Sequence, residues 1–178
     1  MTEGRIARLD GAADRALEPL RTNRASAAVF GAASRVGDFS VVWHVTGLAR
    51  AVGSTTRLRE AVFLSCALGA ESLVVNQGIK RMFRRERPTE SGDERFDVRT
   101  PSTSSFPSGH ASSATFAVIV LAGFAGWPLS WLFVAVGSVV ALSRAVVRIH
   151  HMSDIIGGVA VGTVLGAVAR AAAGALLG

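Results

Sequence analysis

The sequence predicts an all-α fold, a polytopic helical bundle embedded in a membrane, and three observations carry that prediction. Of the 178 residues 49% are hydrophobic, and the mean hydropathy is positive. Segments 61–80, 109–127, 128–147 and 155–177 are each apolar over about the 20 residues that a spanning helix needs. Glycine, with 19 occurrences, joins alanine in these runs and suits close helix packing in lipid. So short and oily a chain reads as one membrane-embedded domain, 1–178, rather than a multi-domain soluble enzyme.

In chain order, residues 1–27 come first. Leu9, Ala13, Ala16, Leu17 and Leu20 recur at helical spacing with Arg8, Arg15, Arg21 and Arg24 between them, the pattern of an interfacial amphipathic helix, broken or bent at Pro19. No apolar core precedes residue 25, so no cleaved signal peptide is expected. Residues 28–52 are a weaker span, interrupted by Arg35, Asp38 and His44; with it the count is about five transmembrane helices. His44, beside Trp43, reads as an interface or packing residue, and Cys66, inside an apolar run, as packing. Glu71 lies mid-span, where a charge is costly and faces the bundle interior; a structural role is expected, hydrogen-bonded to Asn76 or Gln77. Residues 89–105 form the one long polar insertion, joining two clusters described below and suited to cover a pocket.

The net charge of +6 suggests an anionic partner. The arginines spread along helix ends without an aromatic-interleaved platform, which points to anionic lipid rather than nucleic acid. Three polar clusters end the apolar runs: Lys80-x6-Arg87-Pro88, Pro107-Ser108-Gly109-His110, and Ser143-Arg144-x5-His150-x3-Asp154. Alternating spans bring all three to one membrane face, together with the N-terminus. That face holds all of the 19 basic residues except Arg50, Arg57, Arg59 and Arg170, so the positive-inside bias makes it cytoplasmic.

A helix continuing from Lys80 to Arg87 would set both cations on one face before Pro88 stops it. Arg offers a planar fork for two phosphate oxygens and Lys a compact point charge. Ser104 to His110 lie just before an apolar run that starts at Ala111, so serine caps and Pro107 begin a helix here, and its N-terminus is an anion site. Gly109 lets backbone approach the ligand, and His110 stands where it can protonate a leaving oxygen. His150 and Asp154, four apart, face the same way on a helix, so the carboxylate can take the Nδ1 proton and leave Nε2 as nucleophile. Arg144 and His150 would lie about 120° apart on one helix, so the helix should end between them. His110, His150, His151 and Asp154 are also possible metal ligands, but the cations around them repel a metal; no metal or cofactor is expected.

Together, and in order, the three clusters resemble the signature of the type 2 phosphatidic acid phosphatase superfamily, which includes vanadium haloperoxidases and bacterial acid phosphatases. The resemblance covers residues 60–165, and His151-Met152 departs from it where many members carry an aromatic residue and proline. It implies an all-helical core and metal-independent hydrolysis of a phosphate monoester or diphosphate through a phosphohistidine. His150 would be the nucleophile, Asp154 its orienting carboxylate and His110 the general acid. Lys80, Arg87 and Arg144 would hold the phosphoryl oxygens, with hydrogen bonds from Ser108 and Gly109.

The spans point to a lipid phosphate substrate, and the arginine-rich, lysine-poor composition to a bacterial inner membrane. Candidates are phosphatidic acid, phosphatidylglycerophosphate and polyprenyl-linked phosphates, including a polyprenyl-phosphoryl sugar phosphate. The alternatives are a non-catalytic headgroup binder, which needs no nucleophile with its orienting carboxylate, and vanadium-dependent halide oxidation in the same cage.

Overall fold

The computed structural model describes residues 2–178, with side chains from residue 4 onward. The described residues are helical, without a strand: α1 (Thr2–Thr22), α2 (Arg24–Val36), α3 (Val41–Ala51), α4 (Thr55–Leu73), α5 (Gly109–Ala125), α6 (Leu129–Val146) and α7 (Met152–Leu177). Among the described residues, only α6 and α7 are both long and apolar enough to cross a membrane, and α5 is a shorter apolar helix. The helix α4 is of similar length but carries Arg57, Arg59, Glu60 and Glu71. Val45, Leu48, Val62, Leu132, Val164 and Val168 point outward, an apolar belt of the kind that lipid covers. Cys66 is on this outer surface rather than in the packing.

The centre of the bundle is α5, packed between α6 and α7. Glycines at every fourth position of α7 make the α5–α7 contact possible. A Cβ at Gly158 would lie 2.5 Å from the Ser108 carbonyl oxygen, and one at Gly162 would overlap the Ser112 backbone. At Gly166 it would come 3.2 Å from the Phe116 Cα. With no side chains between them the two backbones approach as closely as small-residue stripes allow in lipid. Trp43, Leu64, Leu68, Phe116, Leu121 and Phe133 fill the core on the other side of α5.

Residues 28–52 are not one span. The chain turns at Asp38–Ser40, where Phe39 and Ser40 take φ of 52° and 60°. Thereafter α3 runs down beside α4, joined to it by His44 Nδ1 and Ser65 Oγ at 2.9 Å and, at the far end, by an Arg50–Glu60 ion pair. With 11 residues α3 covers only about half of a roughly 30 Å hydrocarbon core. Preceding it, α2 stays at the end of the bundle that carries the three clusters. The amphipathic N-terminal helix is also there, but α1 continues through Pro19. Its Leu17 is buried against Ala145 and Val146, and Arg21 donates to the carbonyls of Val146 (2.8 Å) and Ala145 (3.1 Å). Docking to α6 holds together a helix that Pro19 weakens by removing one amide donor.

Replacing Gly162 with alanine forces a methyl group into the Ser112 backbone, which cannot step aside; overpacking of this kind costs about 1–3 kcal/mol. Thermal unfolding in detergent should show this loss for Gly162→Ala, and none for Gly174→Ala, whose new Cβ meets nothing within 4 Å.

Candidate active site

Each cluster is delivered by a different interruption of helix. After α4 the backbone widens into a π turn at Val74–Gly78 and tightens into a 3-10 turn at Ile79–Met82. At Phe83 it becomes extended (φ −120°, ψ 144°). The helix expected from Lys80 to Arg87 therefore does not form. Seven more helical residues would carry Arg87 about 10 Å further along the axis, whereas the open backbone folds it back over the site. Its fork is fixed by donation from Nε to Pro101 O (3.1 Å), Nη2 to Thr103 O (2.9 Å) and Nη1 to Ile149 O (3.0 Å). Loop 89–105 thus supplies two of the three acceptors that orient Arg87.

The second cluster opens α5. Ser108 is its N-cap, its hydroxyl accepting from Ala111 N at 3.4 Å, so the helix begins at Gly109, within the stretch where serine caps were expected. The Gly109 and His110 amides meet no acceptor among the described residues, leaving the helix N-terminus open to an anion. The buried Lys80 ammonium sits 3.7 Å from the point where a Gly109 Cβ would be. The His110 Nε2 donates to Ser34 O at 3.1 Å and lies 3.2 Å from Asp38 Oδ1. This fit requires Gly37, where a Cβ would fall 2.6 Å from His110 Cδ2.

In the third cluster the expected break is present. After α6 ends, the Arg144 carbonyl accepts from both Ile149 N and His150 N at 3.1 Å, and Arg148 takes φ 58°. His150 precedes α7, so it does not share a helix with Asp154 as the spacing suggested; the turn still sets Nδ1 3.6 Å from Asp154 Oδ2. Asp154 is fully buried. Its Oδ2 accepts from His151 N (2.8 Å) and its Oδ1 from Arg85 Nη1 (2.5 Å). One backbone bond, Ser108 N to Asp154 O at 3.0 Å, ties the second cluster to the third.

The His150 Nε2 lies 3.3 Å from Arg87 Nη1. A guanidinium can only donate, so Nε2 carries the lone pair and the proton is on Nδ1, facing Asp154. Burial pushes the imidazole down to about 3, opposed by Asp154 and reinforced by Arg87, Arg144 and Lys80. Burial, with Arg87 and Arg144, also lowers Lys80 to about 8. Arg144 gives one nitrogen to Ser34 Oγ, while its buried Nε and Nη2 find no acceptor among the described residues. Unpaired buried donors are costly, and a bound oxyanion would satisfy them. The cations, the amides of α5 and the histidines together make a pocket suited to an anion, with a neutral imidazole at its edge.

Two cavities flank it. One, of about 570 Å³, lies beneath α1 against Arg85, His150 and His151 and reaches none of Lys80, Arg87, Arg144 or His110. The other, about 490 Å³ and polar, runs from Arg87 along Thr89, Glu90, Thr100 and Ser102. The sequence reading passed over Ser34, Gly37, Asp38, Asp10 and Arg85. An acidic Asp38 in an otherwise apolar run was the one available sign. Glu71 is buried, but accepts from Ser112 Oγ on α5 rather than from its own chain neighbours.

The fold and this pocket define a membrane-type phosphatase. The PAP2 superfamily model matches residues 60–176, and the chain belongs to that superfamily and is a phosphatase. It is 34% identical over 142 residues to the decaprenylphosphoryl-5-phosphoribose phosphatase of Mycobacterium tuberculosis, covering 79% of this chain and 77% of that one. To the protein of the same name from Mycolicibacterium smegmatis it is 38% identical over 129 residues, 71% and 68% of the two chains. Its fold matches the crystal structure of a transmembrane PAP2-type phosphatidylglycerolphosphate phosphatase from Bacillus subtilis. The TM-score is 0.53 over 94% of this chain and 95% of that one, at 17% identity.

Proposed function

We propose that this protein removes the terminal phosphate of a polyprenylphosphoryl sugar phosphate, through a phosphohistidine on His150. The observation that carries the reading is a neutral, buried imidazole beside a guanidinium with two unsatisfied buried nitrogens. That sets a nucleophile next to donors suited to an oxyanion. The mycobacterial relatives favour the sugar phosphate among lipid phosphates, and the polar cavity beside Arg87 offers hydroxyl and carboxylate partners for a sugar.

Lys80, Arg87, Arg144 and the amides of Gly109 and His110 bind the phosphoryl oxygens, with charge fixed where it develops in the transition state. As phosphate draws Arg87 away, the His150 Nε2 lone pair attacks phosphorus and the bond to the sugar oxygen breaks. His110 enters the step as the imidazolium, which Asp38 favours; Nε2–H is held by Ser34 O and Asp38, and the leaving oxygen takes the Nδ1 proton. The Nδ1–H of His150 closes on Asp154 as the ring becomes positive; such contacts tighten from looser ligand-free geometry. A water then gives a proton to His110 and attacks phosphorus, releasing inorganic phosphate and restoring neutral His150.

In the membrane, α3 to α7 are the five embedded helices of a single domain, with α1 and α2 at the face that carries the site. All basic residues but four of the 19 lie toward that face, which supports a cytoplasmic orientation in a bacterial inner membrane.

The test is phosphate release by the detergent-purified protein, in EDTA, from polyprenylphosphoryl-5-phosphoribose, polyprenyl diphosphate, phosphatidylglycerophosphate and phosphatidic acid. Release should be fastest from the first, survive EDTA, and fall at least about 10³-fold in His150→Ala. Chelator-sensitive turnover, or a His150→Ala variant of near-normal rate, would contradict the reading.

The pH dependence has a definite sign. His150 at about 3 is already neutral and adds no acid limb above pH 5. Lys80 at about 8 is charged below that pH and loses its charge above it, so KM should climb as pH rises through 8. A bound dianion raises the Lys80 pKa, so kcat should hold to higher pH than kcat/KM. Lys80→Arg, whose charge persists past pH 12, should remove the climb; an unchanged profile in that variant would exclude Lys80 as its source.

A further inference from the structure

We infer that Asp10, on the N-terminal helix α1, is a positioning residue for the His150–Asp154 pair and acts through Arg85. This rests on the proposed role of His150. Asp10 is buried, and its carboxylate is fully occupied at the start of α7. Oδ1 accepts from Ser153 N at 2.8 Å; Oδ2 accepts from Ser153 Oγ at 2.8 Å and from Arg85 Nη2 at 2.7 Å. The other end of the same guanidinium, Nη1, donates to Asp154 Oδ1 at 2.5 Å and to Ser153 Oγ at 2.7 Å. The chain of contacts is therefore Asp10, Arg85, Asp154, His150, with Ser153 bridging the first two.

Two physical consequences follow from this arrangement. First, Asp154 has one oxygen committed to Arg85 and the other to His151 N, so its facing angle toward His150 Nδ1 is set by where Arg85 sits. Arg85 emerges from the extended segment after Phe83 and has no helix to hold it; Asp10 supplies the second anchor of its fork. Second, Arg85 brings a full positive charge against the carboxylate that must stabilise an imidazolium on its other side. Asp10 shares that charge, so Asp154 keeps more of its own for His150. Removing Asp10 leaves Arg85 both loose and undivided in its pull on Asp154. The transition state, with a positive ring, suffers, while the phosphate-binding cations, which Asp10 does not touch, do not.

Asp10 lies outside the segment matched to the superfamily, residues 60–176. The N-terminal helix is thus a part of this chain that lies behind the nucleophile, over the cavity lined by Ile6, Leu17 and Met152. Arg21 docks α1 independently, at the carbonyls that end α6, so loss of the Asp10 carboxylate does not by itself release the helix.

The experiment compares Asp10→Asn, Arg85→Gln and the double variant with the unaltered full-length protein in detergent. Orthovanadate and inorganic phosphate are titrated by calorimetry, and turnover is measured on polyprenylphosphoryl-5-phosphoribose. Vanadate expands to five-coordination by taking a nitrogen ligand and so reports on His150; phosphate reports on the cations alone. Asp10→Asn should weaken vanadate binding at least tenfold and leave phosphate binding within about twofold. In turnover, kcat should fall roughly 10–100-fold, the range for partners that orient a reacting group, with KM nearly unchanged. Relative to Arg85→Gln the double variant should lose little more, because the two act as one unit. Turnover is expressed per vanadate-binding site, so unfolded protein is not counted. Equal weakening of vanadate and phosphate, unaltered vanadate binding, or multiplicative losses in the double variant would overturn the proposal. Absence of turnover in the unaltered protein would count against the proposed substrate, and the vanadate-to-phosphate comparison would still decide the role of Asp10.

Discussion

The closeness of α5 to α7 is the constraint on which the site depends. Gly158, Gly162 and Gly166 let the two backbones meet without intervening side chains, and only at that separation can Ser108 N reach Asp154 O. That single bond sets the N-terminus of α5, where an anion would bind, in fixed register with the turn that holds His150. Lys80 and Arg87 are then brought in by open backbone from α4, and Arg144 by the end of α6. In lipid, where apolar burial gives little drive for helices to associate, van der Waals contact along a small-residue stripe is the available source of such precision.

The charge distribution follows from the same geometry. Three cations crowd a largely buried pocket, Arg144 keeps two nitrogens without acceptors among the described residues, and burial drives His150 to its neutral form. Without ligand this is an unfavourable arrangement, since buried unpaired donors and like charges both cost free energy. A phosphoryl dianion reverses each of these terms at once. Under the proposed reading these cations are fixed in place ahead of the phosphoryl group, the preorganisation expected where charge develops in a transition state. The single lysine, alone among otherwise arginine cations, is the one member whose charge lies near physiological titration.

Much of this was legible in the sequence. The all-helical class, the helices α5, α6 and α7, the shared end of the three clusters and the break between Arg144 and His150 all follow from apolar run lengths and residue spacing. What spacing could not reveal was backbone that departs from helix. Lys80 and Arg87 look like neighbours two turns apart, yet they converge because the helix unwinds after Gly78. His150 and Asp154 look like an i, i+4 pair, yet they meet across a helix start. Residues 28–52 look like one interrupted span because periodicity does not register the left-handed pair Phe39 and Ser40. Asp10, Ser34 and Arg85 were invisible for another reason: each acts through a partner more than 50 positions away, and no local pattern encodes such a contact. Glu71 is a similar case, since its partner Ser112 lies on another helix, 41 positions along the chain.

The central claim is that phosphorus is transferred to His150. Rapid acid-free quenching of the enzyme with substrate labelled at the terminal phosphate, followed by peptide mapping, tests it most directly. The account predicts label on the peptide carrying His150, stable to base and lost in acid as a phosphohistidine is, reaching a substantial fraction of sites within one turnover and absent from His150→Ala. A turnover-competent enzyme that never acquires protein-bound label, or that carries it on a residue other than His150, would contradict it.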